Sequence, residues 1–141
     1  MKQRLETRLY YNLLLSVFNI WETYAKEQIS LYEETSLTDI THPNLHRENL
    51  ATLKHIADMI HIVKKFLISI EHMAKEGGFA SVDALNSHIL KEIKKLFDEY
   101  ALPDMMFPLA EKKISEILEF YHKFVDEITI LPPSLSEGGK K

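Results

Sequence analysis

The residues with the most chemical potential are histidines one helical turn from a carboxylate. Asp58 precedes His61 by three positions, and Glu119 precedes His122 likewise. His72 and Glu76, and His122 and Asp126, stand four apart. On a helix both spacings bring the two side chains onto one face. An imidazole beside a carboxylate can then ligate a transition metal or hand on a proton. Glu119, His122 and Asp126 form the densest such set and are the candidate metal ligands. His42 and His46 also stand four apart, but they straddle Pro43, which disfavours helix at His42.

The paired acid-x-x-His spacings resemble the ligand pattern of ferritin-like di-iron proteins, in which the other two helices add a Glu each. Glu22 or Glu27 and Glu92 or Glu99 nominally fill those places. That resemblance implies ligands pointing into a bundle core, and facing opposes it. At about 100° per residue, Asp58 and His61 lie more than about 120° from the centre of the Leu53–Ile60–Leu67 stripe. Glu119 and His122 point opposite Ile117, Tyr121 and Ile128. A haemerythrin-like site fails too, because His42 and His46 supply no inward His-x-x-x-His pair. These groups read as solvated helix surface, with no cofactor expected. A metal shared between subunits through Glu119, His122 and Asp126 is the alternative. Other chemistries lack their parts: there is no glycine-rich phosphate loop, no Gly-x-Ser-x-Gly turn and no cysteine.

Apolar residues in unusual places are more informative. The segment Leu102-Pro103-Asp104-Met105-Met106-Phe107-Pro108 connects two helical patterns, yet it carries Met105, Met106 and Phe107 where loops are normally polar. Soft side chains of this kind can dock a partner or plug the open end of a bundle. The first helix has the same ambiguity. Its aromatic face, Tyr10, Phe18, Trp21 and Tyr24, suits either a core or an interface.

Four amphipathic helices position these groups. Residues 3–34 form the first, with Leu9, Leu13, Val17, Ile20, Trp21, Tyr24 and Leu31 on one side and Leu14, Phe18 and Tyr32 widening the arc. Residues 35–44 are rich in turn formers. The second helix covers 45–76 through Leu53, Ile56, Ile60, Val63, Leu67, Ile70 and Ala74, and ends at Gly77-Gly78 with Gly77 as left-handed cap. Ser81 caps the third, whose stripe is Val82, Leu85, Ile89, Ile93, Leu96 and Tyr100. The fourth starts within 105–109 and runs through Ala110, Ile114, Ile117, Leu118, Tyr121, Val125 and Ile128 to Pro132-Pro133.

The expectation is an all-α, antiparallel four-helix bundle over 1–131 with a flexible tail at 132–141. Its two N-terminal helices are long, its third shorter and its fourth intermediate. A short third helix leaves apolar surface on its longer neighbours uncovered, so a homodimer or other protein partner is expected.

Composition narrows function. The 141 residues carry a net charge of −4, and the lysine pairs are interspersed with acids, so nucleic acid is not the expected ligand. The most apolar stretch, Leu13 to Trp21, is too short for a membrane span. No targeting segment is apparent and cysteine is lacking, which suits a cytoplasmic protein. The sequence points to a small non-catalytic interaction or assembly subunit, adaptor-like or chaperone-like. A metal-binding bundle and a subunit of a nucleoprotein complex are the alternatives.

Overall fold

The computed structural model describes residues 2–35 and 40–129, and the side chains of 5–35 and 40–125. The helices are α1 (Lys2–Glu34), α2 (Pro43–Ser69), α3 (Glu71–Lys75), α4 (Val82–Glu99) and α5 (Met106–Thr129), and no strand occurs among the described residues. The chain is therefore all-α. No described helix is long and apolar enough to cross a membrane. Pro132-Pro133 and the tail lie outside the described residues.

The expected second helix of 45–76 is two helices. It starts at Pro43, whose fixed φ suits a first-turn position, and it breaks at Ile70 (φ −105°, ψ 8°). The break has one distant and one local cause. The Leu67 carbonyl accepts the Tyr11 hydroxyl at 2.6 Å as well as the Ile70 amide at 3.2 Å. The Ser69 hydroxyl donates back to the Phe66 carbonyl at 2.6 Å, a bond that competes with the helix ladder. Beyond the break α3 turns toward α1, where the Arg8 guanidinium donates to the Lys75 carbonyl at 3.2 Å.

Both expected caps around the next turn are present. Gly77 adopts φ 82°, and the Gly78 amide donates to the Met73 carbonyl at 2.9 Å, closing a Schellman turn. A Cβ at Gly78 would lie 2.8 Å from the Met73 carbonyl oxygen, so this approach needs glycine. The Ser81 hydroxyl then accepts the Ala84 amide at 3.1 Å. Helix α4 ends in a second Schellman turn, with the Leu102 amide on the Phe97 carbonyl at 3.0 Å. Here Ala101, not glycine, holds the left-handed conformation at φ 53°.

The four long helices share one core, and α1 touches each of the other helices. The central parts of the expected stripes of α2 and α5 are inside, Ile60, Val63 and Leu67 from one and Ala110, Ile114, Ile117 and Tyr121 from the other, while Leu53 and Ile56 are half-buried and the Ile128 side chain lies outside the described residues. In α4, Phe97 is buried and Tyr100 is exposed, so the stripe turns by one position at its end.

The inward face of α1 departs most from expectation. Its fully buried apolar residues are Tyr10, Tyr11, Leu14 and Phe18, joined by nearly buried Ala25. Leu9, Ile20, Tyr24 and Leu31, one side of the expected arc, are exposed. The helix is rotated by roughly 120° from the expected orientation, taking 100° per residue. Polar partners select this orientation. The Tyr10 hydroxyl donates to buried Asn86 at 2.6 Å, and the Tyr11 hydroxyl reaches Leu67. On α1's other flank, Glu22 accepts Lys64 at 2.6 Å.

Candidate interaction surface

The apolar arc of α1 is wider than one core can use. Part of it therefore faces outward, and α5 extends it. Leu9 lies beside Phe120 and Phe124, two rings one turn apart on α5, and Leu5, one turn before it, is exposed. Leu9, Leu13, Phe120, Tyr121 and Phe124 line a groove of about 250 Å³ between the two helices. The line continues along α1 through Ile20, 71% exposed and the most exposed large apolar residue described, then Tyr24 and Leu31. At 100° per residue, Leu5, Leu9, Leu13, Ile20, Tyr24 and Leu31 fall within about 100° of arc. Seven of these side chains are roughly half exposed or more: Leu5, Leu9, Ile20, Tyr24, Leu31, Phe120 and Phe124. At roughly 150–250 Å² per large side chain, they leave on the order of 700 Å² open to solvent. The largest apolar patch of a typical monomer is about 300–600 Å².

The residues singled out from sequence divide between the two sides. Tyr10 and Phe18 are sealed in the chain's own core, and Tyr10 meets Tyr121 edge-on at 5.4 Å. Trp21 is half-buried against Phe18 at 5.6 Å, with the Lys113 ammonium 5.2 Å from its ring centre. Tyr24 belongs to the exposed line. In the connection before α5, Met106 is buried and Phe107 packs edge-on to Phe97 at 6.2 Å. Only Met105 of that trio points out. The knuckle therefore closes the core and presents one methionine.

Two of the three candidate metal ligands, Glu119 and His122, have described side chains. Both are exposed, and His122 Nε2 lies 3.6 Å from Asp83 of α4. The side chain of Asp126 lies outside the described residues. His61 faces Glu22 at 3.8 Å, separated by chain direction and helix from the Glu119 pair. Among the described residues no group of three His, Asp or Glu side chains is placed to hold a metal ion.

Glu22 has three basic partners: Lys64, Lys26 and His61. Its carboxylate is largely buried and takes Lys64 at 2.6 Å, with Lys26 at 4.0 Å. The Lys64 hydrogen bond holds this carboxyl below its usual range, outweighing the burial that pushes it up. Lys64 and His61 tie α1 to α2 through this carboxylate.

Phe120, Phe124 and Leu5 were not singled out from sequence. The signal was the spacing of the two phenylalanines, one turn apart and off the α5 core stripe, beside residues that read as polar surface. No family model, curated protein or solved structure matches this chain.

Proposed function

We propose that this chain is a small, non-catalytic protein-interaction or assembly subunit that docks through the outward face of α1 and the adjoining rings of α5. One observation carries the reading: exposed Leu, Ile and Tyr side chains recur along one arc of α1 from Leu5 to Leu31, interrupted by Ser16 and Glu27, and the exposed Phe120 and Phe124 of α5 form a groove with Leu9 and Leu13. Leaving so much apolar surface in water costs solubility, and a partner removes that cost. In this reading α1, α2, α4 and α5 pack as an antiparallel bundle, with α3 folded over one end. The cysteine-free composition suits a reducing cytoplasm.

The test places a photoreactive phenylalanine analogue at Phe120 and, as control, at Lys95 on α4, in the full chain expressed in its own host. A discrete protein adduct is expected at position 120. It should be lost when Leu9→Asp is added and be absent at position 95. Equal labelling at both positions would sink the proposal. Circular dichroism of Leu9→Asp separates lost docking from lost folding.

A further inference from the structure

We infer that the occupant of this face is a second copy of the chain, in a two-fold dimer whose α1 helices run antiparallel and cross near Ile20. The inference rests on the docking reading above and names its partner. The first support is area. A standard interface buries about 800 Å² per partner. The seven exposed side chains offer on the order of 700 Å², taking roughly 150–250 Å² per large side chain. That nearly completes such an interface, so one partner of this size covers the whole line.

The second support is the pattern along α1. A two-fold axis at one residue of an antiparallel pair sets each position against its mirror position about that residue. Leu9 and Leu31 are equidistant from Ile20, so each Leu31 meets the partner's Leu9 and its groove with Phe120 and Phe124. Tyr24 and Ser16 are likewise equidistant from Ile20. The exposed Tyr24 ring therefore faces a small residue that leaves room for it. Ile20, the most exposed large apolar residue described, takes the axis, where each side chain meets its own copy. A shallow crossing of about 20°, the geometry of four-helix bundles, keeps these pairs together over the helix length. Between Leu9 and Leu31 the only charge on this arc, at 100° per residue, is Glu27; the same symmetry sets it against the partner's Leu13, so its carboxylate must reach for the rim to remain hydrated.

The absence of cysteine gives a clean test. Light scattering of the native chain at micromolar concentration should give twice 16.5 kDa. Ile20→Cys should oxidise to a disulfide-linked dimer on the order of a hundredfold faster than Ile68→Cys, since pairing raises the effective thiol concentration from roughly ten micromolar to about a millimolar. Ile68 is similarly solvent-facing but lies on α2, away from the line. A monomer mass, or equal oxidation of the two variants, would overturn the inference. If the chain is monomeric but the Phe120 adduct still forms with another protein, only the choice of partner fails. If the adduct fails as well, the docking face itself is wrong.

Discussion

The Tyr10–Asn86 bond lends itself to quantitative test because both partners are buried and the geometry is tight. Tyr10 is fully enclosed, and its hydroxyl donates at 2.6 Å to the side-chain oxygen of Asn86, itself nearly buried. Tyr10→Phe keeps the ring and its edge-on contact with Tyr121. It removes the one donor and leaves the Asn86 oxygen desolvated without it. An unmatched buried acceptor costs about 1–3 kcal/mol. For a chain of this size that is a fall in Tm of roughly 3–10 °C. Pairing it with Asn86→Leu removes the orphaned acceptor, and much of the loss should return. The assay is a double-mutant cycle by urea denaturation, read as midpoints at constant slope. The coupling energy should be at least about 1 kcal/mol. Additivity within about 0.5 kcal/mol would show that the bond does not orient α1 and would refute the account of why this face turns inward.

Other expectations follow from single features. Ala101→Gly should stabilise the fold by about 1 kcal/mol, since an L-residue at positive φ costs roughly that much; a lowered denaturation midpoint would contradict the Schellman assignment. In acid, the depressed Glu22 carboxyl contributes stability that is present above its unfolded value and lost as pH falls through its folded one. Glu22→Gln should flatten the acid limb of a stability-against-pH curve, and an unchanged limb would count against the Lys64 bond. In alkali the sign reverses. Burial pushes Tyr11 up to about 12 and Tyr10 higher still, so their stabilisation is full below the unfolded value near 10 and declines as pH rises toward 12 and beyond; ultraviolet titration should show ionisation of these two rings only together with unfolding. Glu27→Gln should tighten self-association by roughly 3–10-fold, since charge is depleted from interface cores. Weaker association by sedimentation would displace Glu27 from the face.

The helical class was legible because stripes at three- and four-residue spacing survive whatever packs against them. In α2 and α5 the stripes were also narrow enough to fix the inward face, and Ile60, Val63, Ile114 and Ile117 are where periodicity puts them. The caps at Gly77 and Ser81 were legible because left-handed backbone and side-chain capping are local chemistry. The orientation of α1 was not. Its apolar arc spans nearly half the cylinder, and periodicity cannot select a centre within so wide an arc. The selection is made by Asn86, the Leu67 carbonyl and Lys64, which lie 76, 56 and 42 positions away in the chain from their α1 partners. The break at Ile70 was hidden for the same reason, since half of its cause is a hydroxyl on another helix. Phe120 and Phe124 were not legible because Glu119 and Lys123 precede them in the chain, and only the fold brings Leu9 and Leu13 to their side.

The double use of α1 has a genetic consequence. One arc of this helix holds the fold and the other faces out, so the effect of a substitution should alternate with helical phase. Changes at Tyr10, Leu14 and Phe18 should lower cellular abundance, because misfolded chains are cleared. On the proposed docking face, changes at Leu9, Ile20 and Leu31 should leave abundance intact and abolish the activity that docking supports. A deep substitution scan of residues 5–31 would then resolve into two waves of period 3.6, out of step by about a third of a turn, one in protein level and one in activity.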